Sequence, residues 1–199
     1  MAFTIKDAWL PATLTAAPMT DEEFAALVAE HPDLSFEMSA DGELIVMPPN
    51  YSTTGARNAR IVAQLFNWAE RDQRGTAFDS SAGFVFPNGA RRSPDASWVL
   101  NQRIGPEERS RGGYLHLCPD FAIELRSESD RLRALREKMK EYIDNGAQLG
   151  WLIDPLREAV EIFRPGRAPE IREGVMMIEG ENPVRGFALE LQRVWKPWQ

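Results

Sequence analysis

One glutamate inside an apolar run narrows what this chain can become more than any other feature. The run F-A-I-E-L, followed by Arg126, has the length and content of a buried strand. Side chains alternate faces along a strand, so Asp120, Ala122, Glu124 and Arg126 share one face while Phe121, Ile123 and Leu125 share the other. An ionised carboxylate in such a strand is costly unless it is paired or bound to a metal, so Glu124 needs a partner on its own face. Asp95 is the candidate, because it stands in S-P-D at the entry of the preceding apolar run A-S-W-V-L. If those two strands are neighbours, the two acids meet on one side of the sheet.

Composition sets the outer limits. A chain of 199 residues, 43% of them hydrophobic, can bury one good core, and residues 1–199 read as a single domain. The lone Cys118 leaves no internal disulfide, and Met1 to Leu10 carry no signal-peptide pattern, which fits a reduced cytoplasmic setting. No apolar run approaches the roughly 20 residues that span a bilayer, so no membrane partner is expected. The net charge of −7 argues against broad, nonspecific attraction to nucleic acid. A polyanion site has to be local.

Helix and strand signals alternate along the chain. Thr20 and Glu23 form a capping box that opens a helix from Asp21 to Glu30, and His31-Pro32 ends it. L-S-F-E-M-S and E-L-I-V-M flank Asp41-Gly42 as a hairpin, with the D-G pair supplying the positive φ values of a tight turn. A second helix spans Ala56 to Arg74, with Ile61, Leu65, Phe66, Trp68 and Ala69 as its apolar stripe and Gly75 at its terminus. Three strands follow: A-G-F-V-F, A-S-W-V-L and F-A-I-E-L. Asn101 to Leu117 read as an exposed, mobile loop. Ser127 and Asp130 cap a third helix that Asn145-Gly146 closes, the strand L-G-W-L-I-D follows, and the remainder reads as short antiparallel strands.

The chemistry follows from the acidic pair. Two close carboxylates repel unless a cation lies between them, and a hard divalent ion, Mg2+ or Mn2+, suits oxygen ligands. The third helix offers an ammonium as well. At about 100° per residue, Lys138 falls about 40° off the edge of the apolar arc from Leu132 to Ile143, whereas Lys140 points to solvent. Lys138 can therefore lay its stem on the sheet and bring its charge to the acids. Trp68, Trp98, Trp151 and Trp195 read as core, Asp154 as a turn former, and neither histidine as a metal ligand.

The order α-β-β-β-α-β, with P-D at one strand and Glu in the next, resembles the PD-(D/E)XK nuclease superfamily. D-G-E-L-I-V-M-P-P, T-G-A-R-N-A, S-P-D-A-S-W-V, P-D-F-A-I-E-L-R-S-E-S-D and R-E-K-M-K-E-Y-I-D-N-G-A-Q-L-G-W-L-I-D-P look like the Uma-two family of restriction endonucleases. The resemblance runs from about Phe36 to Pro165. It implies an α/β, restriction-endonuclease-like core, a mixed central sheet flanked by helices, with extra hairpins at both ends. It also implies a metal-dependent nuclease acting on DNA, with Asp95 and Glu124 as ligands and Glu37 as a further one.

The superfamily's lysine should stand two residues after Glu124, where this chain has Arg126. An arginine stays protonated and cannot take a proton from water, though it can contact the scissile phosphate. In Uma-two relatives the lysine is carried on the following helix, which matches Lys138, expected to orient or deprotonate the attacking water. A homodimer is expected by analogy with enzymes that cut both strands. The alternative reading is a noncatalytic module that keeps the fold and binds a protein or nucleic acid.

Overall fold

The computed structural model describes residues 11–16, 19–49, 51–111 and 113–199; the segment examined for a leader pattern lies outside them. A six-stranded sheet forms the centre, in the order β11-β10-β9-β8-β7-β4. Its strands are β4 (Gly75–Asp79), β7 (Ala96–Leu100), β8 (Phe121–Leu125), β9 (Leu149–Asp154), β10 (Ala159–Phe163) and β11 (Glu170–Glu173). Only β8 and β9 run parallel; the other neighbours are antiparallel. Every residue of β8, β9 and β10 is buried, as expected of strands covered on both faces.

Helix α2 (Ser52–Asp72) covers one face, with Ile61, Leu65, Trp68 and Ala69 buried against Phe121, Ile123 and Leu125. Helix α4 (Leu132–Asp144) covers the other, burying Met139 and Tyr142 beside Ala122 and Leu152. It also forms the crossover that the parallel β8–β9 pair requires. The sequence α2-β4-β7-β8-α4-β9 is therefore the expected α-β-β-β-α-β core.

A second sheet, β1-β3-β2-β6-β5, is built from β1 (Ala12–Thr15), β2 (Ser35–Met38), β3 (Glu43–Met47), β5 (Phe84–Val85) and β6 (Arg91–Arg92). Helix α1 (Asp21–Glu30) packs Phe24 onto its Phe36, Met38, Leu44 and Val46. Its capping box forms: Thr20 Oγ1 accepts from the Glu23 amide at 3.2 Å, and Glu23 Oε2 accepts from the Thr20 amide at 2.8 Å.

At the C-terminus, β12 (Met177–Glu179), β13 (Ala188–Glu190) and α5 (Gln192–Trp195) send Ile178, Phe187, Leu189, Val194 and Trp195 into the core beneath α2. All four tryptophans expected in the core are buried.

Several sequence expectations are corrected. The first strand of the core is β4, not A-G-F-V-F, of which only Phe84 and Val85 form a strand, in the other sheet. Gly75 belongs to β4: a Cβ there would lie 2.3 Å from the Trp98 ring, while the left-handed residue after α2 is Gln73 at φ 59°. Phe66 leaves the apolar stripe and is exposed. In the Asp41-Gly42 turn only Gly42 has positive φ. The supposed loop after β7 contains a 3-10 turn (Asn101–Arg103) and α3 (Pro106–Arg111). Ser127 does bond Asp130, through both its amide and its hydroxyl, but α4 starts only at Leu132.

Candidate active site

Strand register decides whether the two acids meet. Ala96 of β7 pairs with Ile123 of β8 and Ser97 with Ala122, so continuing that antiparallel ladder sets Asp95 opposite Glu124. The Leu125 amide donates to Asp95 Oδ2 at 2.7 Å, which ties the aspartate to the end of β8. Both acids stand at the sheet end where β8 finishes and the chain turns into α4.

Helix α4 delivers two side chains one turn apart. Lys138 Nζ lies 2.9 Å from Glu124 Oε1, and the Tyr142 hydroxyl donates to the same oxygen at 2.6 Å. The lysine side chain is only 15% exposed, whereas that of Lys140 is 75% exposed and pairs with Asp144, as the helical phase predicts. Tyr142 and Lys138 are four residues apart and so share a face. That spacing was a readable signal for Tyr142 as a site residue, masked by its fit to the apolar stripe.

Glu37 arrives from β2 of the second sheet, and both of its oxygens are taken. Oε1 pairs with Lys138 Nζ at 2.8 Å and accepts from the Ser93 amide at 2.9 Å; Oε2 pairs with Arg92 Nη1 at 3.2 Å. Glu37, expected as a further ligand, stands here between two cations of the protein itself. Arg126 has an acidic partner of its own. Its Nη1 pairs with buried Asp154 at 2.9 Å, so Arg126 balances a core charge and Asp154 does more than form a turn.

Five acids are buried among the described residues: Glu37, Asp120, Glu124, Asp154 and Glu161. Four have an arginine partner, respectively Arg92 for Glu37, Arg103 for Asp120, Arg126 for Asp154, and Arg136 with Arg157 for Glu161. Glu124 alone among them has none. A guanidinium is a permanent counter-charge that keeps a buried acid ionised. Glu124 is held only by an ammonium and a phenol.

The electrostatics follow from that difference. Burial pushes the Glu124 carboxyl up to about 7; Lys138 opposes the rise, and Asp95 and Glu37 add to it. Burial likewise pushes Asp95 up to about 6, against the Leu125 amide and Lys138. Burial would raise Glu37 too, but Lys138 and Arg92 outweigh it and hold that acid below its usual range. Burial would lower Lys138, yet Glu124 and Glu37 outweigh that and raise it, so its ammonium stays charged at neutral pH. A cluster with two acids near neutrality is a recurrent mark of a functional site.

The atoms of this cluster that could accept a divalent cation are few. Asp95 Oδ1 and Glu124 Oε2 accept no hydrogen bond from the described residues, whereas each oxygen of Glu37 already has a partner. No group of three or more His, Cys, Asp or Glu side chains arranged to hold a metal occurs among the described residues.

Other features are chemically quiet. A cavity of about 520 Å³ lies elsewhere, between the outer face of α4 and the turn after β10. Most of the charges lining it are paired, among them Arg133 with Glu137, Lys140 with Asp144, and Arg164 with Glu170. Burial pushes the Cys118 thiol up to about 12, which removes it as a nucleophile.

Comparison with known proteins places this architecture. The family model Uma2, described as "Putative restriction endonuclease", matches residues 21–192. The chain belongs to the Uma2 family. A search of the curated proteins finds no match. Among solved structures, the crystal structure of "a putative nuclease belonging to DUF820" from Anabaena variabilis superposes with a TM-score of 0.75. The match covers 90% of this chain and 98% of that one at 22% identity, a likeness of fold. The nuclease-like, mixed α/β architecture of this Uma2 chain thus agrees with the order of its elements. No helix among its described residues is long and apolar enough to cross a membrane.

Proposed function

We propose that this Uma2 protein is a divalent-metal-dependent nuclease that hydrolyses phosphodiester bonds in DNA. The observation that carries the reading is the convergence of Asp95 and Glu124 across the β7–β8 ladder, each with a carboxyl raised towards neutrality and one oxygen left open. Family membership supports the reaction class.

Asp95 and Glu124 would hold Mg2+ or Mn2+, which when bound supplies positive charge to a phosphate oxygen and acidifies a water. The protein's own contributions are positional and electrostatic. The Leu125 amide fixes Asp95, and the Tyr142 hydroxyl, kept protonated by burial and by Glu124, fixes Glu124. Lys138 brings a charged ammonium to Glu124. With its raised pKa it orients water and stabilises developing negative charge; it does not act as the base. Arg126 pairs with Asp154 through Nη1, and in this reading its remaining donors would contact the scissile phosphate.

The test is nicking of supercoiled DNA by purified protein with Mg2+ or Mn2+, alongside Asp95→Asn. Metal-dependent nicking that the variant loses supports the reading. Equal nicking by the variant shows that the activity comes from elsewhere. Absence of both nicking and Glu124-dependent metal binding leaves a noncatalytic module with the nuclease fold.

A further inference from the structure

Three ion pairs among four charged side chains, together with the backbone of α4, close a ring behind the candidate site. Lys138 Nζ meets Glu37 Oε1 at 2.8 Å, Glu37 Oε2 meets Arg92 Nη1 at 3.2 Å, and Arg92 Nε meets Glu141 Oε2 at 2.7 Å. Glu141 lies three residues after Lys138 on α4, which returns the chain of contacts to its start. All four side chains are at most 17% exposed. Two belong to α4, one to β2 and one to β6, so the ring joins the crossover helix to the second sheet.

The ring holds two cations and two anions and is neutral by itself. Lys138 therefore has an anionic partner in Glu37 besides Glu124. A lysine stem has four rotatable bonds and gives up about 2 kcal/mol of rotamer freedom when fixed. One contact to Glu124 leaves the ammonium free to swing about that oxygen. A second contact from another element, rooted by Arg92 and the Ser93 amide, fixes it in place.

We infer that Glu37, backed by Arg92 and Glu141, is a positioning residue for Lys138, so that the second sheet is a working part of the catalytic site and not a decoration of it. This inference rests on the nuclease reading for its effect on rate, but not for its effect on the lysine. A positioning residue acts on Lys138 geometry and turnover, whereas a ligand acts on metal affinity.

The experiment compares wild type with Glu37→Gln by three measurements. The first is the proton–nitrogen correlation signal of the Lys138 ammonium in metal-free protein, assigned with Lys138→Arg. The second is Mn2+ affinity by calorimetry, and the third is kcat and KM for DNA cleavage. Glu37→Gln is expected to abolish the slowly exchanging ammonium signal, leave Mn2+ affinity within about threefold, and lower kcat about 10–100-fold with little change in KM, as loss of an outer partner does.

Glu141→Gln breaks the ring at its far side without touching Lys138 or Glu124 and should weaken the same signal. It gives the same readout should Glu37→Gln fail to fold. A tenfold or greater fall in Mn2+ affinity in Glu37→Gln, or an unchanged ammonium signal in both variants, overturns the inference. Wild-type protein that cuts no DNA defeats the nuclease reading, and the ammonium signal then still decides whether Glu37 positions Lys138.

Discussion

At the scale of single residues, the two open acids dictate how the site responds to pH. Unfolded Asp and Glu titrate near 4, while burial carries Asp95 to about 6 and Glu124 to about 7 in the fold. The folded state therefore holds more protons than the unfolded state across that window. Stability contributed by this pair is present at low pH and is lost as pH rises through about 6 to 7. A bound cation offsets the loss, because it needs the ionised forms. Mn2+ should accordingly raise the melting temperature more at pH 8 than at pH 5.5, measured by scanning calorimetry. Equal shifts at the two pH values would show that these acids do not bind it. Glu124→Gln should lose Mn2+ binding and lower DNA nicking by about 100-fold or more while melting cooperatively. A variant that still binds Mn2+ with wild-type heat rules out Glu124 as a ligand.

Secondary-structure elements are where local signals were followed or overridden. The capping box at Thr20 was legible because it depends only on residues three apart, and it forms as read. Thr20→Ala should cost about 1 kcal/mol, seen as a lower urea midpoint; no change would mean α1 is held by Phe24 alone. Strand β4 was not legible, since G-T-A-F-D begins with a glycine just after a helix and looks like its terminus. The glycine is there because the Trp98 ring and the Val99 carbonyl lie 2.3 and 2.4 Å from where a Cβ would be. Gly75→Ala should destabilise by about 1–3 kcal/mol through overpacking, and an unchanged melting temperature would contradict that close approach. Lys138 was legible by helical phase, but Arg92 was not. In R-R-S-P-D it reads as a surface charge, and only the β2–β6 pairing carries it inside to Glu37.

For the molecule as a whole, the C-terminal hairpin and α5 are structural members, not appendages. They bury Ile178, Phe187, Leu189, Val194 and Trp195 in the same cluster as Phe121 and Trp151, and Arg57 of α2 donates to the Val194 carbonyl. Removing residues 175–199 strips that side of the core and should abolish the cooperative thermal transition. A truncated chain that melts like the full one would show the central sheet to be self-sufficient.

What the amino-acid order by itself determined is local. Alternation set the face on which Glu124 points, helical phase turned Lys138 inward and Lys140 outward, and charge inside an apolar strand marked the site. Only the tertiary structure decided which strand stands beside which, that Glu37 reaches Lys138 from another sheet, and that Arg126 pairs with Asp154. The division is physical: the direction of a side chain follows from the period of its own element, whereas its partner is chosen by pairing register and packing between segments far apart in the chain.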